Sequence, residues 1–204
     1  MTFLNLSLPF SACLVCAACA SFLNIMINNR GFFGIGVEGI SKAMNVGAIM
    51  RTAHAFGASF AFTVGAIYTK TDIWKSDTSK SQENIPLYEF DNATSLRLPK
   101  NCKLVGVEFI DEADALPSFR HPSQCAYILG PERGSLSDEI LSVCDHTVKI
   151  PTKFCLNVSV AAAIIMYDRT ITLGRHAPRP VRTGGPTEVL PLHEFGDPVI
   201  RRKK

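Results

Sequence analysis

The chain has 204 residues, enough for one α/β domain with a buried core, and its formal charge is only +3. Its seven cysteines are an odd number without paired spacing, which does not suggest a disulfide framework and leaves reduced thiols as the default. The surplus charge is concentrated at one end: residues 175–204 carry seven Lys or Arg against Glu188, Glu194 and Asp197, whereas residues 1–174 carry 14 basic and 15 acidic residues. Such a tail serves either as an anchor for phosphate backbones or as a solvated segment, and its composition favours neither.

Residues 1–25 are apolar and contain no Lys or Arg. Ala18-Cys19-Ala20 resembles a small-residue cleavage site, but a secretory signal has a basic start. A membrane helix needs about 20 apolar residues, and Asn5, Pro9 and several serines interrupt this run. Cys13, Cys16 and Cys19 have no nearby fourth ligand for a metal. The reading adopted is a start at Met26. Residues 1–30 are then an extension, 31–174 the domain and 175–204 a basic tail rich in Pro and Gly. The expected protein is cytoplasmic and has no membrane partner.

Residues 32–37 form a Gly-rich apolar run, read as a first strand. Residues 45–56 form a helix, with Val46, Ile49, Met50 and Ala53 as its core face, and Gly57 ends it. Residues 59–64 are a second strand. The polar stretch 70–84 is an exposed loop. Strands follow at 85–90, 104–109 and 125–129. Residues 137–144 are a short helix with Ser137 as its cap, and Asp138 and Glu139 in its first turn. A strand at 146–150 stops at Pro151. Residues 156–173 are a long helix, apolar all round in its first half and therefore read as buried. Strands alternating with helices predict an α/β fold, with a mostly parallel sheet and helices on both faces. Ligands of such sheets bind beyond the carboxyl ends of the strands. Three such ends carry unusual residues: Glu108, Gly130-Pro131-Glu132 and Ile150-Pro151.

Gly34-x-Gly36-x-x-Gly39 matches the dinucleotide fingerprint, but no acid lies between Glu38 and Asp72. The match is read as accidental, which leaves a nicotinamide-dependent oxidoreductase as a distant alternative. Asn45-x-Gly47-x-x-x-Arg51 lies on the first helix, with Arg51 turned away from the apolar face. Arg51 is either a solvated arginine or a cation placed for a phosphate or an alkoxide, and Asn45 reads equally as a helix cap. Leu129-Gly130-Pro131-Glu132-Arg133-Gly134 is a turn that admits a ligand, or one in which Glu132 merely pairs with Arg133. Asn157 and Ser159 open an otherwise apolar helix, as caps or as ligand contacts.

Together, in this order, these stretches resemble the three motifs of the SpoU (TrmH) family of the SPOUT methyltransferase superfamily, over residues 34–174. The first matches at Asn45, Gly47 and Arg51, the second at Leu129, Gly130, Glu132 and Leu136, and the third at Ile150-Pro151 and Leu156 to Ala161. The resemblance implies an α/β domain with a C-terminal trefoil knot, working as a homodimer. It implies S-adenosylmethionine held by backbone near Val107, Leu129, Gly130, Ile150 and Leu156, with no metal. It implies RNA ribose 2′-O-methylation, with tRNA the preferred substrate and rRNA next. Arg51 would favour the oxyanion, Asn45 and Glu132 would shape the pocket, and Asn157 and Ser159 would position the reacting groups. A non-catalytic RNA-binding protein of the same fold is the alternative. The chain departs from the family in a shorter third motif, with Cys155 where Ser is usual. Lys80-Ser81 also replaces a frequent Gly-Ala after Ser79, and no separate N-terminal RNA-binding domain is read.

Overall fold

A computed structural model describes residues 31–68 and 81–174, and beyond them 176, 179–180 and 183–185. The extension at residues 1–30, Ser79 and most of the basic tail lie outside the described residues. Seven strands form one sheet in the order β3-β2-β1-β6-β4-β7-β5, and every pairing is parallel. The strands are β1 (Phe32–Glu38), β2 (Phe60–Val64), β3 (Leu87–Phe90), β4 (Lys103–Val107), β5 (Asp114–Ala115), β6 (Gln124–Leu129) and β7 (His146–Lys149). The helices are α1 (Ala43–Ala55), α2 (Asp138–Val143) and α3 (Val158–Leu173). No helix among the described residues is long and apolar enough to cross a membrane.

A parallel sheet with both faces covered needs strands that are apolar throughout, and the central ones are. On β1, Phe33, Ile35 and Val37 face a core built with α1 (Val46, Ile49, Met50, Ala53) and α3 (Val158, Ala162, Ile165, Met166). Phe60 and Phe62 of β2, with Ala126 and Ile128 of β6, face the opposite core, which Ile140 of α2 closes. Between these layers, Gly34 and Gly36 lie opposite Phe60 and Phe62. A Cβ on either glycine would sit 2.3 or 2.4 Å from those rings. The glycines of the apparent dinucleotide fingerprint therefore make room for aromatic rings inside a strand.

The structure corrects four local readings. First, α1 starts at Ala43, so Asn45 is not its cap; Lys42 holds that place in extended backbone and gives no side-chain bond. Second, α3 starts at Val158 with Asn157 as its cap, two residues later than the pattern suggested. Third, β5 is a two-residue polar strand, too short for any periodicity. Fourth, the first half of α3 is only partly buried. Its inner stripe packs on the sheet, but Val160 is 47 % exposed and Tyr167, further along, 52 %. A helix lying on one face of a sheet buries one stripe, so its outer apolar face stays open in a single chain.

At the amino-terminal edge of the sheet, Arg169 of α3 is only 2 % exposed. It donates to the carbonyls of Pro122 (2.6 Å) and Ser123 (2.9 Å) and lies 5.2 Å from the centre of the Phe33 ring. Beside it, His121 bridges Tyr127 Oη (2.6 Å) and Asp168 (2.9 Å). This network fastens α3 to the segment entering β6. Arg169→Ala removes the donor to the Pro122 carbonyl and opens a void where a fully buried side chain stood, so it is expected to lower stability by about 3 kcal/mol or more. Urea denaturation measures this, and a loss within the range of surface substitutions would show that the network is not holding α3.

Candidate functional site

Because all strands run the same way, their carboxyl ends share one edge, where β1, β6, β4 and β7 deliver four loops. β1 ends at Glu38, whose carboxylate accepts from Ser137 N (2.8 Å) and Ser137 Oγ (2.5 Å). Ser137 in turn caps α2, as its sequence suggests. Gly39 then turns the chain with φ of +59° and feeds Ser41, Lys42 and α1.

The start of α1 exposes backbone N–H groups that no local side chain satisfies. The carboxylate of Glu132, 90 residues on from Lys42, takes up instead the N–H groups at and just before the cap position. It accepts from Lys42 N (3.2 Å) and Ser41 N (3.4 Å), and also from Ser41 Oγ (3.4 Å) and Asn45 Nδ2 (3.0 Å). It does not serve as a mere partner for the adjacent Arg133. Asn157 Nδ2 then donates to Asn45 Oδ1 (3.4 Å), and Asn157 Oδ1 accepts from Ser159 N (2.9 Å) and Ser159 Oγ (2.6 Å). Glu132, Asn45, Asn157 and Ser159 are thus one hydrogen-bonded chain drawn from three distant stretches of sequence. Burial pushes the Glu132 carboxyl up, but the bonds from Asn45, Ser41 and Lys42 outweigh it and hold the group below its ordinary value.

Beside this chain is a cavity of about 170 Å³ between the ends of β4, β6 and β7 and the start of α3. Val107, Leu129, Gly130, Ile150 and Leu156 all line it, together with Glu132. It shares Phe109 and Thr152 with an open cleft of about 370 Å³. Gly130 is closely approached here: a Cβ would lie 3.0 Å from Leu136 N and 3.2 Å from Glu108 Oε2. The short loop after Pro151 is held by Thr152 Oγ1, which donates to the Phe154 carbonyl (2.9 Å), and this brings Cys155 to the cavity wall.

Arg51 stands nearly two turns beyond Asn45 on the exposed side of α1. There an apolar groove runs between Ala48, Thr52 and Phe56 of α1 and Val160, Ile164 and Tyr167 of α3, and Ser159 also lines it. Sequence reasoning singled out Glu108 as a strand-end residue but gave it no role. In the structure its carboxylate lines the cavity, accepting from Phe109 N (2.9 Å) and Leu136 N (2.7 Å). Its signal was its place at the end of β4, on the edge where a ligand binds.

Residues 33–167 match the model of the SpoU rRNA Methylase family. The chain is 31% identical over 156 residues to 23S rRNA (guanosine-2′-O-)-methyltransferase RlmB of Nitrosomonas europaea, covering 70% of this chain and 56% of that one. It is 28% identical over 140 residues to tRNA (guanosine(18)-2′-O)-methyltransferase TARBP1 of Mus musculus, covering 64% of this chain and 9% of the relative. It therefore spans about half of the first relative's length, and much less of the second's. Among solved structures, the SpoU methyltransferase AviRb from Streptomyces viridochromogenes, in complex with AdoMet, superposes with a TM-score of 0.62 at 23% identity, covering 73% of this chain and 60% of that one. At that identity the likeness speaks for the fold.

The acid behaviour of the Glu132 chain is testable. A carboxylate whose native pKa is depressed stabilises the fold above its ordinary pKa, and that contribution fades as pH falls through the native value. The stability difference between the wild type and Glu132→Ala is therefore expected to be constant from about pH 8 to about pH 5 and to shrink below 4.5. Urea denaturation across that range reads it. A gap unchanged at about pH 3 would mean that the ionised carboxylate is not what holds α1.

Proposed function

Since the chain belongs to the SpoU rRNA Methylase family, we propose that it is an S-adenosylmethionine-dependent RNA ribose 2′-O-methyltransferase. The observation that carries this reading is the hydrogen-bonded chain from Glu132 through Asn45 and Asn157 to Ser159, set at the side of a cavity walled by strand-end backbone. The cavity suits the cofactor in kind. Leu129, Ile150 and Leu156 offer apolar surface for a flat nucleobase, Gly130 lets backbone approach, and two carboxylates face a cationic ligand. Held there, S-adenosylmethionine supplies an electrophilic methyl group on a sulfonium sulfur, and the transfer calls for no metal.

The protein's task is then to make an alcohol a better nucleophile. Arg51 brings a guanidinium cation, which favours the developing ribose oxyanion. Asn45 is held from both ends, by Glu132 and Asn157, and keeps the first turn of α1 in place. Ser159, tied to Asn157, also lines the groove between α1 and α3.

We further propose a homodimer and a trefoil knot. The dimer is supported by the apolar groove between α1 and α3, with Val160 and Tyr167 half exposed, a surface that a second copy would cover. It would place Arg51 of one protomer beside the cavity of its partner. The knot is supported by β7 lying between β4 and β5 in the sheet. In such a knot the connection from β4 to β6 would run around the outside of β7, and the chain leaving β7 would return within it to form α3. tRNA is the preferred substrate and rRNA the next, and the relatives named above include one enzyme for each. The basic tail would add phosphate contacts.

Arg51→Ala is expected to lower methyl transfer from labelled S-adenosylmethionine to bulk tRNA or rRNA by roughly 100-fold or more, with cofactor affinity nearly unchanged. Equal loss of both would remove the role given to Arg51. Tyr167→Glu places a charge in the groove and is expected to shift sedimentation to the monomer; an unaltered profile would mean that this face is not the interface.

A further inference from the structure

The cavity wall is unusual in its charge. Among the described residues lining it, Glu108 and Glu132 are acidic, and none is Lys, Arg or His. Glu132 is already occupied by four donors from Ser41, Lys42 and Asn45. Glu108 takes one backbone donor on each oxygen, Phe109 N on Oε1 and Leu136 N on Oε2, which leaves a further lone pair on each. Its seat is built for it: Gly130 lacks the Cβ that would crowd Oε2 at 3.2 Å. Of the two lysines lining the adjoining cleft, Lys149 turns its Nζ to the carbonyls of Ile110 (3.1 Å) and Asp111 (2.8 Å).

Resting on the reading that the cavity takes S-adenosylmethionine, we propose that Glu108 is the residue that tells the cofactor from its spent form. The two ligands differ by one methyl group and one charge. In the transfer, the methyl carbon leaves sulfur and bonds to the ribose oxygen. The sulfur keeps the bonding pair and becomes a neutral thioether, and the hydroxyl proton passes to solvent. The cofactor thus enters with a net charge of +1 and leaves as S-adenosylhomocysteine with none. A carboxylate held in the cavity wall attracts the first more strongly than the second. Across a partly solvated site, the attraction of one such charge is worth roughly tenfold in affinity or more. Glu108 therefore acts as a specificity residue that releases the product because the reaction removes the charge it holds.

Calorimetric titration of the full chain tests this with three ligands: S-adenosylmethionine, S-adenosylhomocysteine, and the analogue with an amine in place of the methyl sulfonium. Glu108→Gln is expected to weaken the two cationic ligands roughly tenfold more than S-adenosylhomocysteine, and Glu108→Asp to restore the preference. Equal weakening of all three would reduce Glu108 to a structural support of the loop and overturn the proposal. Should the Gln variant not fold, the charge can be removed from the ligand instead. In the wild type, the amine analogue is expected to weaken toward the affinity of S-adenosylhomocysteine as pH rises through its amine pKa. Constant affinity across that range would overturn the proposal. A wild type that binds none of the three would defeat the cofactor reading itself, a result distinct from either.

Discussion

A helix needs its first N–H groups satisfied, and α1 does not do this for itself. Lys42 holds the cap position with no side-chain bond, and the carboxylate of Glu132, from the turn after the neighbouring strand β6, takes up the N–H groups of Ser41 and Lys42. A cap is commonly worth about 1 kcal/mol, a sizeable share of a domain's net stability. The larger consequence is positional. The carboxylate that satisfies α1 also fixes Asn45 against Asn157, and so sets the distance between the first helix and the last. Everything at the site depends on that one anion lying where the end of β6 puts it.

The two edges of the sheet divide the labour. At the amino-terminal edge, Arg169, His121, Tyr127 and Asp168 form a satisfied polar network, buried at its centre, that fastens α3 down. At the carboxyl-terminal edge, Glu38 secures α2, Glu132 secures α1, and Glu108 ties the end of β4 to the loop before α2. Three acids at three strand ends each take up the N–H groups of a neighbouring turn. The positive ends of α1 and α2 favour that arrangement, since anions are stabilised by helix N-termini. The edge becomes rigid without any of these acids needing a basic partner.

Much of this was readable from the chain. Periodicity placed α1, α2 and the central strands, because their apolar faces must meet a core. The five residues named for the cofactor all line the cavity, since a parallel sheet puts strand-end backbone there whatever the side chains. Non-local features were not readable. Asn45 looks like a local cap, and only the fold shows that a residue 87 positions away captures its side chain. Arg169 looks like any helical arginine, because the carbonyls it satisfies belong to a segment more than 40 residues earlier. β5 pairs by two residues on a sheet edge and leaves no pattern. The outer face of α3 looks like core because an all-round apolar run does not say which stripe of it the sheet covers.

Asn157 uses both ends of its amide. One end caps α3, and the other holds the first turn of α1. Ser159, gripped by the same amide, lies in the wall of the groove on the opposite side. Whatever occupies the cavity thus shares a rigid strut with whatever occupies the groove. By linkage, if filling one tightens the other, the reverse holds to the same degree in free energy. Small-molecule occupancy and self-association would then be two readings of a single equilibrium.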